Sequence, residues 1–239
     1  MKKLTGVAVA ICLLLLPVQI GAQEPSRPKS PRMTSDDVSP RGGDSFAAEA
    51  ESNISPTPNS GSTINNARAL LQGALTRMAG VRSIRTRMQV SVPDGTREIT
   101  IETVKPDRMH VVAPDGEIIV VGKAYYYKPA GGAWQVSSSN NALATSSKAF
   151  DFNAFFAEGL NEAGVKVSGK ILGEEVIDGV QTVAYSLTVE DTKDSGTVQL
   201  WIAKSDGYIR RMSLSGAGLT MRIWCSGINE NFAIQVPRT

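Results

Sequence analysis

The chain has 239 residues, 41% of them hydrophobic, with Lys+Arg 25 against Asp+Glu 23 and a single histidine. Charge this balanced, with no basic patch, argues against a nucleic-acid partner. One histidine excludes a metal site or catalytic scheme that needs two.

Lys2 and Lys3 precede an almost unbroken apolar run from Val7 to Val18, and Gly21-Ala22 offers small residues for cleavage. Residues 1–22 therefore read as a secretory signal peptide, the run being too short for an ordinary spanning helix. Cys12 is part of that run. Ile11 stands where an acylated cysteine wants a small neighbour, and Leu13 to Leu16 continue the apolar stretch, so no lipid anchor is expected there. Once the leader is gone, Cys225 is the remaining cysteine and no intramolecular disulfide can form. Residues 23–63 are rich in Pro, Ser, Asn and acidic residues, with Phe46 their one aromatic. Such a segment buries too little apolar area to offset its ordering entropy and is expected to be a disordered tether. The domain is expected over residues 64–239, long enough for a sizeable core.

Ser62-Thr63 can cap a helix from about Ile64 to Ala79, closed by Gly80. Ile64, Ala67, Leu70, Leu71, Ala74, Leu75 and Met78 share one face of it, while Arg68, Gln72 and Arg77 fall away. A strand follows in which Ile84, Thr86, Met88, Val90 and Val92 alternate with Arg85, Arg87, Gln89 and Ser91. Pro93-Asp94-Gly95 turns it into a strand carrying Ile99, Ile101 and Thr103. Further strands are expected near Met109–Ala113, Glu117–Val121, Ala124–Lys128 and Ala133–Val136.

After a polar connection, Lys148–Ala163 reads as a second helix, heavily loaded with Phe150, Phe152, Phe155, Phe156 and Leu160. Val165–Gly173 is the next strand, with Glu174–Gly179 read as a polar, turn-like connection. Strands through Val183–Val189, Thr197–Lys204, Tyr208–Ser215 and Leu219–Cys225 come next, and Phe232, Ile234 and Val236 end the chain. The count is about eleven strands and two helices, and a sheet that wide must curl. The expected fold is therefore α+β: a strongly curved antiparallel sheet, an incomplete half β-barrel, with both helices on its concave side. A β-sandwich is the alternative, and it offers the Phe-rich helix no obvious place.

The search for catalytic chemistry returns negatives. His110, the one histidine, lies opposite Met109 and Val111 on its strand, and no Gly-x-Ser-x-Gly elbow accompanies it. Cys225 sits beside Trp224 without a nearby base and reads as a packed thiol. Glu174-Glu175 and the Asp191/Asp194 pair read as solvated turn residues, and no phosphate-binding glycine loop precedes a helix. No catalytic residue, metal or cofactor is assigned. The positive signal is an apolar face on which Met88, Met109, Met212 and Met221 join Val, Ile and Leu. Methionine is flexible and polarizable, which suits a surface that accepts acyl chains of varied shape.

The order of elements resembles the LolA-like periplasmic lipoprotein carriers and the related LppX/LprG lipid-binding proteins. The first half carries it through an amphipathic helix, a hairpin, Lys105-Pro106, Pro114-Asp115, Gly122-Lys123 and a Tyr-rich strand ending Lys128-Pro129. The second half carries it through Gly179 to Tyr185, Leu200-Trp201-Ile202 and Asp206-Gly207. The resemblance implies a periplasmic, non-catalytic carrier that works as a monomer and binds acyl chains of a lipid or lipoprotein. An envelope membrane protein would deliver or accept the cargo. The lining it implies is Met88, Val90, Ile99, Ile101, Met109, Val111, Tyr125, Tyr127, Phe155, Phe156, Leu200, Met212 and Met221. Where the carriers use an arginine to hold a helical lid, this chain has Lys105, which lacks the planar fork of arginine. A sensing or scaffolding module that binds a protein partner through the same half-barrel is the second reading.

Overall fold

Tight turns with glycine or proline at fixed offsets join almost every neighbouring pair of strands, so the chain folds largely onto its own next segment. The computed structural model describes residues 54–137, 164–190, 195–216 and 218–238. A first meander comprises β1 (Ser83–Val92), β2 (Gly95–Val104), β3 (Arg108–Ala113), β4 (Gly116–Val121), β5 (Ala124–Pro129) and the short β6 (Gln135–Ser137). A second comprises β7 (Lys166–Ile177), β8 (Val180–Glu190), β9 (Ser195–Ala203), β10 (Ile209–Gly216) and β11 (Leu219–Ser226). One antiparallel seam, β1 against β11, joins them into a single 11-stranded sheet ordered β6-β5-β4-β3-β2-β1-β11-β10-β9-β8-β7. Its edges, β6 and β7, do not pair with each other, as in an incomplete half-barrel.

The described residues contain one helix, α1 (Ala67–Ala79), which packs against β7 and β10. Its apolar stripe is as expected: Ala67, Leu71, Ala74 and Leu75 are buried, with Leu70 and Met78 packed beside them. Its start is later than the expected Ile64. Ile64 donates its backbone N–H to Gly169 and Thr63 bridges Lys170, so these residues belong to the sheet edge. Asn66 then caps the helix, its side chain accepting from the Ala69 N–H at 2.9 Å. The second expected helix, Lys148–Ala163, lies outside the described residues.

Two further differences have physical causes. Pairing with β7 begins upstream of Ile64, at Ser55, which exchanges backbone hydrogen bonds with Glu174 at 2.7 and 2.9 Å. That segment covers the edge of β7, and Gly173 (φ 151°) admits it, since a Cβ there would lie 2.4 Å from the Ser55 carbonyl oxygen. Second, Glu174–Ile177 is strand rather than turn. The β7–β8 hairpin closes on Asp178-Gly179 alone, both with positive φ (49° and 76°), the geometry a two-residue hairpin favours. Past β11, Phe232–Val236 forms no strand. The chain after β11 is an irregular arm held by Asn229, whose N–H donates to the Ser83 carbonyl, and by the Arg108 guanidinium, which donates to the Ile234 carbonyl at 2.8 Å.

Candidate functional site

Alternation along antiparallel strands sends every second side chain to the same face, and register decides which of them meet. One row across the inner face runs Thr86, Ile101, Val111, Ile118 and Tyr127 from β1 to β5. A second runs Ile99, Met88, Ile223, Met212, Leu200 and Tyr185 from β2 across the seam to β8. Val90, Met221, Leu214, Val198 and Leu187 form a third. Met109, Val120 and Tyr125 form a shorter fourth. Every described residue of the expected lining, namely Met88, Val90, Ile99, Ile101, Met109, Val111, Tyr125, Tyr127, Leu200, Met212 and Met221, stands in one of these rows. Phe155 and Phe156 lie outside the described residues.

Most of these side chains are buried in one hydrophobic cluster that also takes in Leu71 and Leu75 of α1, while Ile99, Ile118 and Val120 are partly buried against it. Binding on this face therefore requires its cover to part. Leu187, Val198, Leu214 and Ile223 belong to the same surface and were not singled out among the lining, although the alternation around each carries the signal. Cys225 faces inward opposite Thr86. Burial pushes its thiol up to about 12, opposed only weakly by the Arg210 charge, so it is no nucleophile at neutral pH.

Lys105 reaches α1: its ammonium donates to the carbonyl of Ala79 in the last helical turn. The contact is exposed, at the rim of an open cleft of about 390 Å³ bounded by Arg82, Val104, Asn229 and Phe232. Arg68 ties the other end of the helix by donating to the Val165 carbonyl. At the β9–β10 turn, Gly207 (φ 72°) lies against the Arg77 side chain, which a Cβ would approach to 3.1 Å.

The outer face is of different chemistry. Across β1 to β5, Arg85 pairs with Glu102 at 2.7 Å, His110 stands 3.6 Å from Glu102 and 3.4 Å from Glu117, and Lys128 pairs with Glu117 at 2.8 Å. The Lys128 hydrogen bond and, less strongly, His110 hold the Glu117 carboxyl below its usual range, against the opposing effect of burial. Arg87 lies 4.2 Å over the Trp224 ring. On β7 to β10, Glu175 accepts from Trp201 Nε1 at 2.7 Å and from Arg211 at 2.5 Å, with the Arg211 guanidinium 3.9 Å over the indole. Glu175 is thus a largely buried acceptor, its side chain 9% exposed, and not the solvated turn residue its neighbours in sequence imply. Among the described residues no group of three His, Cys, Asp or Glu side chains is placed to hold a metal ion.

No family model matches the chain, and no curated protein matches it by sequence. Solved structures do. LprF from Mycobacterium bovis superposes with a TM-score of 0.51 at 19% identity, covering 75% of this chain and 100% of that one. The lipoprotein LppX from Mycobacterium tuberculosis gives 0.47 at 17%, over 70% and 97%. A LolA-superfamily protein from Nitrosomonas europaea gives 0.26 at 14%, over 67% and 91%. The fold assignment rests on the LprF superposition, which spans the whole of that structure. With its open sheet, its seam between two meanders and its inward-packed helix, the chain has the fold of LprF.

Proposed function

We propose that this protein is a non-catalytic carrier that binds acyl chains of a lipid or lipoprotein on the inner face of the sheet and moves them through the cell envelope. The observation that carries the reading is the set of adjoining rows of uncharged side chains on the inner face, reaching Tyr127 on β5 and Tyr185 on β8, two of which cross the seam. Burying an acyl chain against such a face contributes about 0.8 kcal/mol per CH₂, so affinity needs no specialised polar group. The expected leader over residues 1–22 supports export to the periplasm, and the carrier is proposed to act there as a monomer. Lys105, bonded to Ala79, holds the C-terminal end of α1 against the sheet and is the proposed lid contact.

The full-length chain, exported by its own leader and purified without detergent, is expected to retain lipid visible as added mass in native mass spectrometry. Apo mass alone in repeated preparations, with no uptake of a fluorescent fatty acid in solution, overturns the reading. The alternative is a sensing or scaffolding module that binds a protein partner through the same half-barrel. Capture of one membrane protein at fixed stoichiometry, unchanged by delipidation, would favour that alternative.

A further inference from the structure

Among the described residues two buried side-chain polar atoms have no hydrogen-bond partner, Arg210 Nε, whose guanidinium pairs with Asp206, and the Tyr125 hydroxyl on the inner face. Tyr125 is 8% exposed, and its hydroxyl has no hydrogen-bond partner among the described residues. Its row neighbours are Val120 and Met109 on one side and Ser137 of β6 on the other, and its hydroxyl bonds to none of them. A buried hydroxyl without a partner is costly, and native proteins keep few of them. Tyr126, on the same strand, stands on the opposite face beside Ile119, so the orphan belongs to the inner surface alone.

We infer that the Tyr125 hydroxyl is the donor for the ester carbonyl at the head of a bound acyl chain, which makes the ligand an O-acyl ester rather than any hydrocarbon of suitable length. The inference rests on the carrier reading and narrows its ligand class. An ester brings the missing acceptor on the same molecule that fills the apolar rows, so one ligand satisfies both demands of the face. Burial, helped by the neighbouring Tyr127, pushes the Tyr125 phenol up to about 12, so it keeps its proton and remains a donor at neutral pH. The O-acyl glyceryl group is shared by phospholipids and by the diacylglyceryl anchor of lipoproteins, and both carry the required carbonyl.

The test compares wild-type, Tyr125→Phe and Tyr126→Phe full-length chains, stripped of lipid. The probes are dipalmitoyl phosphatidylglycerol, its dihexadecyl ether analogue, and a synthetic dipalmitoylglyceryl lipopeptide. Wild type is expected to bind both ester probes about five- to tenfold more tightly than the ether, the weight of one hydrogen bond shielded from water. Tyr125→Phe is expected to remove that preference by lowering ester binding to the level of the ether, and to leave the melting temperature of the empty protein equal or higher. Tyr126→Phe is expected to behave as wild type. The tighter of the two ester probes identifies the source of the group. Equal binding of ester and ether by wild type overturns the inference while the carrier reading stands. So does a uniform loss in Tyr125→Phe, or a lower melting temperature when empty. Binding of no probe by wild type overturns both.

Discussion

The two meanders are built from the same grammar yet are stabilised differently. In β1 to β6 the inner side chains enter the core and the outer ones form a half-exposed charge ladder from Arg85 to Lys128. In β7 to β11 both faces are packed. The inner face joins the main core under α1, and the outer face has its own small cluster of Ile177, Ala184 and Trp201, with Ile54 and Leu172 beside it. The second meander is also covered along its edge by the segment from Ser55 to Ile64. The difference teaches that one half is a scaffold, fixed from both sides, and the other is a wall with one side free to adapt.

The largest expected effect tests the scaffold. Leu200 is 0% exposed at the centre of the second meander, and Leu200→Ala is expected to destabilise by about 3–5 kcal/mol in urea unfolding. Ile118→Ala, on a partly buried side chain of the wall, is expected to cost about half as much or less. Equal losses would abolish the distinction.

A similar contrast applies to ion pairs. Arg211–Glu175 has side chains 17% and 9% exposed, so Arg211→Met leaves a nearly buried carboxylate and is expected to cost about 3 kcal/mol. Lys128–Glu117, at 35% and 33%, is screened by water, and Lys128→Met is expected to cost at most about 1 kcal/mol. The two variants are best compared in one buffer, since salt weakens the exposed pair further.

The smallest effect is electrostatic. Because the folded Glu117 carboxyl titrates below its ordinary value of 4.5, its contribution is complete above that value and is lost as pH falls through the lowered one. Glu117→Gln is therefore expected to flatten the acid limb of the stability curve below about pH 4.5 and to leave it unchanged near neutrality. A steeper acid limb in the variant would contradict the assigned direction.

Much of this arrangement was legible in the residues. Clean alternation in β1 and β2, with Pro93-Asp94-Gly95 between them, specified both faces and the hairpin. The same alternation put Met212, Leu214, Met221 and Ile223 together before any register was known. What was not legible depended on partners distant in sequence. Glu174-Glu175 looks like a solvated turn until Trp201 and Arg211 arrive from β9 and β10 to pair with Glu175. Ser55 and Thr63 have the composition of a tether, and only the open edge of β7 gives their backbone something to bond. Phe232 and Ile234 alternate as a strand would, but the arm packs across strand ends, where no neighbouring ladder continues. The orphaned Tyr125 hydroxyl could not be foreseen either, since an unmet hydrogen bond is a property of surroundings, not of a residue.

The β1–β11 seam has a consequence for how the molecule is assembled. Each meander grows by hairpins whose strands are near neighbours in the chain, so either can form as soon as it is synthesised. The seam instead brings Thr86 to Cys225, from opposite ends of the domain, and closes the longest loop in the fold. Folding rate should therefore be governed by that one ladder. Until it zips, β1 and β11 each present an unsatisfied backbone edge, open to pairing with the wrong chain.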